Sequence, residues 1–186
     1  MSIKEKDHLV ENFKKNAGLV SAVIGHINSD TDAIDYVSNL ISRKKLSNPT
    51  IAAPEFSDSF YLELEDKIRD VSLIKNNLSA HNSGIDISLT GAEFGIAETG
   101  TLVVKSKNIN RRLATMICDI HVCCILESNI VESLDNVIDE LNQTLAQSSG
   151  YLAFITGASR TADIERVLVV GVHGPLELHI LIRKGA

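Results

Sequence analysis

An α/β layered domain with a mostly parallel, mixed sheet is predicted for this chain, and three observations carry the prediction. Apolar residues at helical spacing alternate with short, β-rich apolar runs along most of the sequence. The run 120–126 is apolar and bounded by polar residues, the mark of a strand covered on both faces. Near the end, Gly174-Pro175 separates the strand-like runs 166–172 and 177–183, which predicts an antiparallel hairpin at the edge of the sheet.

Taken in order, Ile3, Val10, Phe13 and Ala17 share one helical face and predict an N-terminal helix over about residues 2–17. It either packs on the domain or lies at its periphery as a mobile helix or dimerisation arm. Residues 19–27 are β-rich and read as strand or extended lead-in. Ser29-Asp30-Thr31-Asp32 resembles a capping box and opens a helix through about Lys44, with Ile34, Val37 and Ile41 inward. Basic residues in its last turn suit the helix dipole. Residues 49–54 read as a strand closed by Pro54, 61–68 as helix and 71–74 as strand. The alternating run 85–89 leads into a glycine-rich stretch that ends in a strand over 101–105. One or two helical turns over 111–117 precede the 120–126 strand, and Val131, Leu134, Val137, Ile138, Leu141 and Leu145 predict a single amphipathic helix. A strand at 151–155 runs into a Gly/Ser/Thr loop. No internal repeat, linker or low-complexity segment interrupts this order, so residues 1–186 read as one domain.

A chain of 186 residues can bury roughly 70% of its unfolded surface in one core and needs no disulfides to fold. Aromatics make up only 4% of it, so aliphatic side chains must fill that core. The net charge of −6 argues against nucleic acid or an anionic membrane surface as the main partner. The N-terminus lacks the apolar centre of a signal peptide, and no apolar run approaches the length of a membrane span. Cys118, Cys123 and Cys124 form no C-x-x-C pair and are odd in number, as in a cytoplasmic protein with reduced thiols. Cys123 and Cys124 are neighbours on a predicted strand and point to opposite faces, so neither zinc nor an iron–sulfur cluster is expected in this chain.

Two loops carry the chemistry. Ligands of open α/β sheets bind in the crevice beyond the strand ends, and both loops adjoin strands. The first is Gly95-Ile-Ala-Glu98-Thr99-Gly100-Thr101, where Glu98 sits on an expected semi-buried turn. There it acts as acid, base or nucleophile, or it ties the turn by accepting backbone N–H bonds. The second is Thr156-Gly157-Ala158-Ser159-Arg160-Thr161-Ala162-Asp163. Its backbone N–H groups, hydroxyls and arginine offer a cradle for a phosphate or carboxylate. Alternatively, Ser159 or Thr161 caps a short helix while Arg160 pairs with Glu165. His173 lies at a strand end and is either a proton carrier or a structural turn residue. Arg111 and Arg112 follow a polar turn and either bind an anion or remain solvated, and His26, His121 and His179 fall in apolar runs as core or edge residues.

The segments Gly91-Ala-Glu-Phe-Gly-Ile-Ala-Glu-Thr-Gly-Thr-Leu-Val-Val and Thr156-Gly-Ala-Ser-Arg-Thr-Ala-Asp-Ile-Glu-Arg-Val-Leu-Val-Val-Gly-Val-His-Gly-Pro-Leu-Glu-Leu-His resemble the signature segments of the LUD domain. This is the lactate-utilisation family that includes the LutC and YkgG proteins. Arg111-Arg112-Leu-Ala is similar to the basic element that lies between the two segments. The resemblance implies a three-layer α/β/α sandwich of the NagB, RpiA and CoA-transferase kind. It also implies a role in oxidising L-lactate to pyruvate with two iron–sulfur partner proteins (LutA- and LutB-like), this chain being the small member without cofactor. On that footing Ser159, Arg160 and Thr161, with Thr99, Gly100, Thr101, Arg111, Arg112 and Asp163, are candidates to hold a small carboxylate or phosphate anion, and Glu98 or His173 to move a proton. Two other readings stand beside it. One is a stand-alone enzyme on sugar phosphates or acyl-CoA esters using Glu98; the other is a non-catalytic adaptor subunit, either of them open to self-association through the N-terminal helix.

Overall fold

The computed structural model describes residues 3–81, 84–147, 151–158, 160–162, 168–170 and 174–185, with 3, 4, 144, 147, 160–162 and 168–170 described as backbone alone. In chain order the elements are α1 (Ile3–Leu19), β1 (Val23–Ile27), α2 (Asp30–Lys44), β2 (Thr50–Ala52), α3 (Asp58–Lys67) and β3 (Ser72–Ile74). There follow β4 (Ile85–Gly91), β5 (Phe94–Ile96), β6 (Thr101–Ser106), α4 (Ile109–Ala114) and β7 (Cys118–Leu126). The remainder comprises β8 (Ile130–Val131), α5 (Ile138–Gln147), β9 (Tyr151–Ile155), β10 (Arg160–Ala162), β11 (Leu168–Val170) and β12 (Glu177–Arg183).

Six strands form one parallel sheet in the order β1-β12-β7-β4-β2-β3. Its central strand, β7, is the apolar run singled out above, and both of its faces are covered. On one face Ile120 and Val122 meet Ile34, Val37 and Leu40 of α2 and Phe60 and Leu64 of α3. On the other, Cys123 and Ile125 meet Phe13 and Ala17 of α1 and Leu102 and Val104 of β6. The second face therefore carries helices together with a four-stranded sheet, ordered β8-β5-β6-β9. α1 is packed rather than peripheral: Phe13 and Ala17 are fully buried and Val10 nearly so.

The local signals behave as their chemistry dictates. Ser29 caps α2 by accepting from the Asp32 N–H at 3.1 Å, and the Asp32 carboxylate reaches back to the Asn28 N–H at 2.7 Å. That is a capping box displaced by one residue.

Three expectations are corrected. The run 177–183 is not the second arm of a terminal hairpin, because β12 pairs parallel with β1 and β7. The antiparallel partner of β11 is β10. A burial pattern of intermediate, five buried and intermediate residues along β12 explains the difference, since such a strand belongs inside a sheet rather than at its edge. The single helix expected from Val131 instead begins at Ile138, after β8 and a 3-10 turn at Leu134–Asn136. Ser133 nucleates that turn by a capping box with Asn136. Finally, Phe94–Ile96, read as part of a loop, is strand β5, paired antiparallel with β6.

Candidate functional site

The two glycine-rich loops meet at one end of the second sheet. Thr99 Oγ1 and Thr101 Oγ1 lie 2.7 Å apart, and Thr101 Oγ1 lies 2.8 Å from Thr156 Oγ1, a hydroxyl chain that joins them. Their glycines serve close packing. Gly100 has φ +67°, and a Cβ there would fall 2.1 Å from Ala17 N. Gly157 has φ +79°, and its Cβ would fall 2.2 Å from Val20 O. The end of α1 and the turn after it thus press directly on both loops.

Glu98 is exposed, not semi-buried, because it sits at the tip of the β5–β6 hairpin. Its backbone is pinned, with the N–H donating to Glu132 O at 3.0 Å and the carbonyl accepting from Asn16 Nδ2 at 3.1 Å. Thr99 beside it is also exposed, with its hydroxyl engaged by Thr101. Ser159, Asp163 and His173 lie outside the described residues, as do the side chains of Arg160 and Thr161. The backbone at Arg160–Ala162 is strand, while Glu165, the alternative partner of Arg160, lies outside the described residues.

The arginine pair lies at the opposite end of β6, with roughly 17 Å of strand between it and Thr101. The two arginines have different surroundings. Arg111 is neutralised: it bonds Glu93 at 2.8 Å, Glu55 at 3.4 Å and the Gly91 carbonyl at 2.8 Å. Its donors thus clasp the loops after β2 and β4. Arg112 has no carboxylate partner among the described residues. Its guanidinium carbon lies 4.3 Å from the centroid of the Tyr151 ring, and its Nε is buried without a hydrogen-bond partner.

Beneath α4, on the same face of the parallel sheet, is a buried polar patch between β4 and β7. Thr90 Oγ1 and His121 Nε2 are 2.8 Å apart, and Ser88 Oγ donates to the Ala114 carbonyl at 2.5 Å. His121 is fully buried, its Nδ1 has no partner among the described residues, and burial pushes its pKa down to about 4. It is a neutral imidazole. Burial also pushes the thiols of Cys118, Cys123 and Cys124 up to about 12, so they stay protonated and are poor nucleophiles. Among the described residues no group of three His, Cys, Asp or Glu side chains is placed to hold a metal ion.

The sequence missed His121 and Tyr151 as site residues. A histidine inside an apolar run gave the only signal for the first, and nothing local distinguishes Tyr151 as a platform for Arg112. It also missed two clefts flanking α1. One of about 580 Å³ lies against β8 between Glu5, His8, Asn12 and Glu132. The other, of about 490 Å³, lies over the ends of β1, β12 and β7.

A parallel sheet with helices on one face and a helix-plus-sheet layer on the other defines a two-sheet layered α/β protein. The LUD domain model matches residues 10–182, and the chain belongs to the LUD-domain family. It is similar to Lactate utilization protein C of Deinococcus radiodurans, at 34% identity over 98 residues, 52% of this chain and 46% of that protein. The protein of the same name from Bacillus subtilis is 33% identical over 95 residues, 50% of this chain and 40% of the relative. That from Oceanobacillus iheyensis is 24% identical over 147 residues, 77% and 63% of the two chains. In the first two cases the match spans less than half of the relative's length. The crystal structure of a DUF162 family protein from Deinococcus radiodurans superposes with a TM-score of 0.68 at 19% identity, covering 100% of this chain and 99% of that one, and shows the same fold. No described helix is long and apolar enough to cross a membrane.

Proposed function

We propose that this chain is a LutC-like component of a lactate utilisation system, supporting oxidation of L-lactate to pyruvate beside iron–sulfur partner proteins, and that Arg112 holds a small carboxylate or phosphate anion. The lactate assignment is supported by family membership and by the relatives named Lactate utilization protein C. The anion assignment rests on Arg112, spread on Tyr151 with no carboxylate partner among the described residues and a buried, unpaired Nε. An incoming oxyanion gains charge-assisted bonds from a guanidinium that no carboxylate among the described residues competes for. In this reading the chain binds and assembles, while electron transfer belongs to the iron–sulfur partners.

Cells lacking the chain are expected to lose growth on L-lactate, to regain it with the wild-type protein and not with Arg112→Met. Calorimetric titration with L-lactate, pyruvate and inorganic phosphate should show binding of at least one, weakened about tenfold or more in the variant. Unimpaired growth without the chain would overturn the lactate assignment. Equal binding by wild type and variant would overturn the anion assignment.

A further inference from the structure

The parallel sheet ends in a cleft that none of the predicted loops reaches. β1, β12 and β7 lie side by side, and their register aligns Ile27 with Arg183 and Arg183 with Leu126. One residue further on, Asn28, Lys184 and Glu127 form a row along the carboxyl edge, spaced about 4.8 Å apart. The Lys184 N–H donates to Ile27 O at 3.2 Å and holds the row in place. Facing it, α1 presents Asp7, Glu11 and Lys14, a stripe along one side of the helix. His26 and Val10 complete the walls of a cleft of about 490 Å³. Small-molecule sites occupy about 300–1,000 Å³, and in open parallel sheets they lie beyond the carboxyl ends of the strands.

The charges of this cleft are mixed in a particular way. Lys14 is engaged by Glu11 at 2.7 Å. Lys184, Glu127 and Asp7 have no ion-pair partner among the described residues. A simple anion entering here meets three carboxylates, and a simple cation meets two lysines. A ligand carrying both charges close together complements both sets.

We propose that this cleft binds a small zwitterion of the amino-acid type. Its carboxylate lies against Lys184 and the His26 imidazole, and its ammonium lies against Glu127 and Asp7. Ammonium and carboxylate are neighbours along the strand-end row, as they are across one carbon of an α-amino acid. The site is independent of Arg112.

The test is a thermal-shift screen of the full chain against each of the twenty amino acids, followed by calorimetric titration at low salt, where exposed charges are least screened. At least one amino acid is expected to bind, and its amine-only and carboxylate-only analogues to bind about tenfold more weakly or worse. Lys184→Met and Glu127→Gln, neither in the core, should each weaken binding by about tenfold, with circular dichroism unchanged. Arg112→Met should leave it intact, which separates this site from the anion site proposed above. Absence of millimolar binding by any amino acid, equal binding by a singly charged analogue, or wild-type affinity in both cleft variants overturns the proposal.

Discussion

His121 shows how a single buried side chain sets the response of the molecule to acid. Burial lowers its pKa from 6.5 to about 4, so the folded protein holds a neutral imidazole that the unfolded chain protonates first as pH falls. Its contribution is whole above pH 6.5 and is lost progressively toward pH 4, a loss approaching about 3 kcal/mol. His179 acts in the same direction, since burial lowers its pKa more than its bond to Glu177 raises it. The carboxylates of Glu11 and Asp32 are held below their usual range, by the Lys14 side chain and the Asn28 N–H respectively, and add to the loss only in stronger acid. Urea midpoints should therefore fall between pH 7 and pH 5, and less steeply in His121→Gln; an identical pH slope in that variant would contradict the assignment. The burial of His121 was legible in its apolar neighbours. Its unpaired nitrogen was not, because the facing partners are set by the register between β4 and β7.

Among the elements, α1 gives the clearest lesson. Its apolar stripe announced a helix, but not where the helix would lie; that is decided by glycines far along the chain. Gly100→Ala combines a left-handed backbone with a Cβ 2.1 Å from the Ala17 backbone, which cannot move without lifting the helix. We expect a loss of more than about 2 kcal/mol and selective exposure of α1 to protease, measured by limited proteolysis beside a melting curve; a wild-type cleavage pattern would show that α1 docks by other means. α4 supplies a second case. Arg111→Met removes the clasp between the loops after β2 and β4 and leaves Glu93 partly buried without its cation, which should cost about 1–3 kcal/mol on chemical denaturation. A stable Arg111 variant would contradict that clasp. The glycine-rich stretch advertised a site because glycine permits close approach; the close approach found is to α1.

For the molecule as a whole, the alternation of helices with apolar runs disclosed the layered α/β plan, and the continuity of β7 disclosed its centre. The pairing of β12 was hidden, since local signals favour a hairpin and only the global sheet has a vacancy between β1 and β7. That vacancy has a consequence during synthesis. Val23 emerges from the ribosome long before His179, the residue it pairs with. At about 5–20 residues per second the wait is roughly 8–30 s. Throughout it the first strand has no ladder partner and α2 hangs on an incomplete sheet. A nascent chain therefore carries its first strand as an unpaired edge until Arg183 has been made, and a chain cut before Glu177 is left with a gap between that strand and its core.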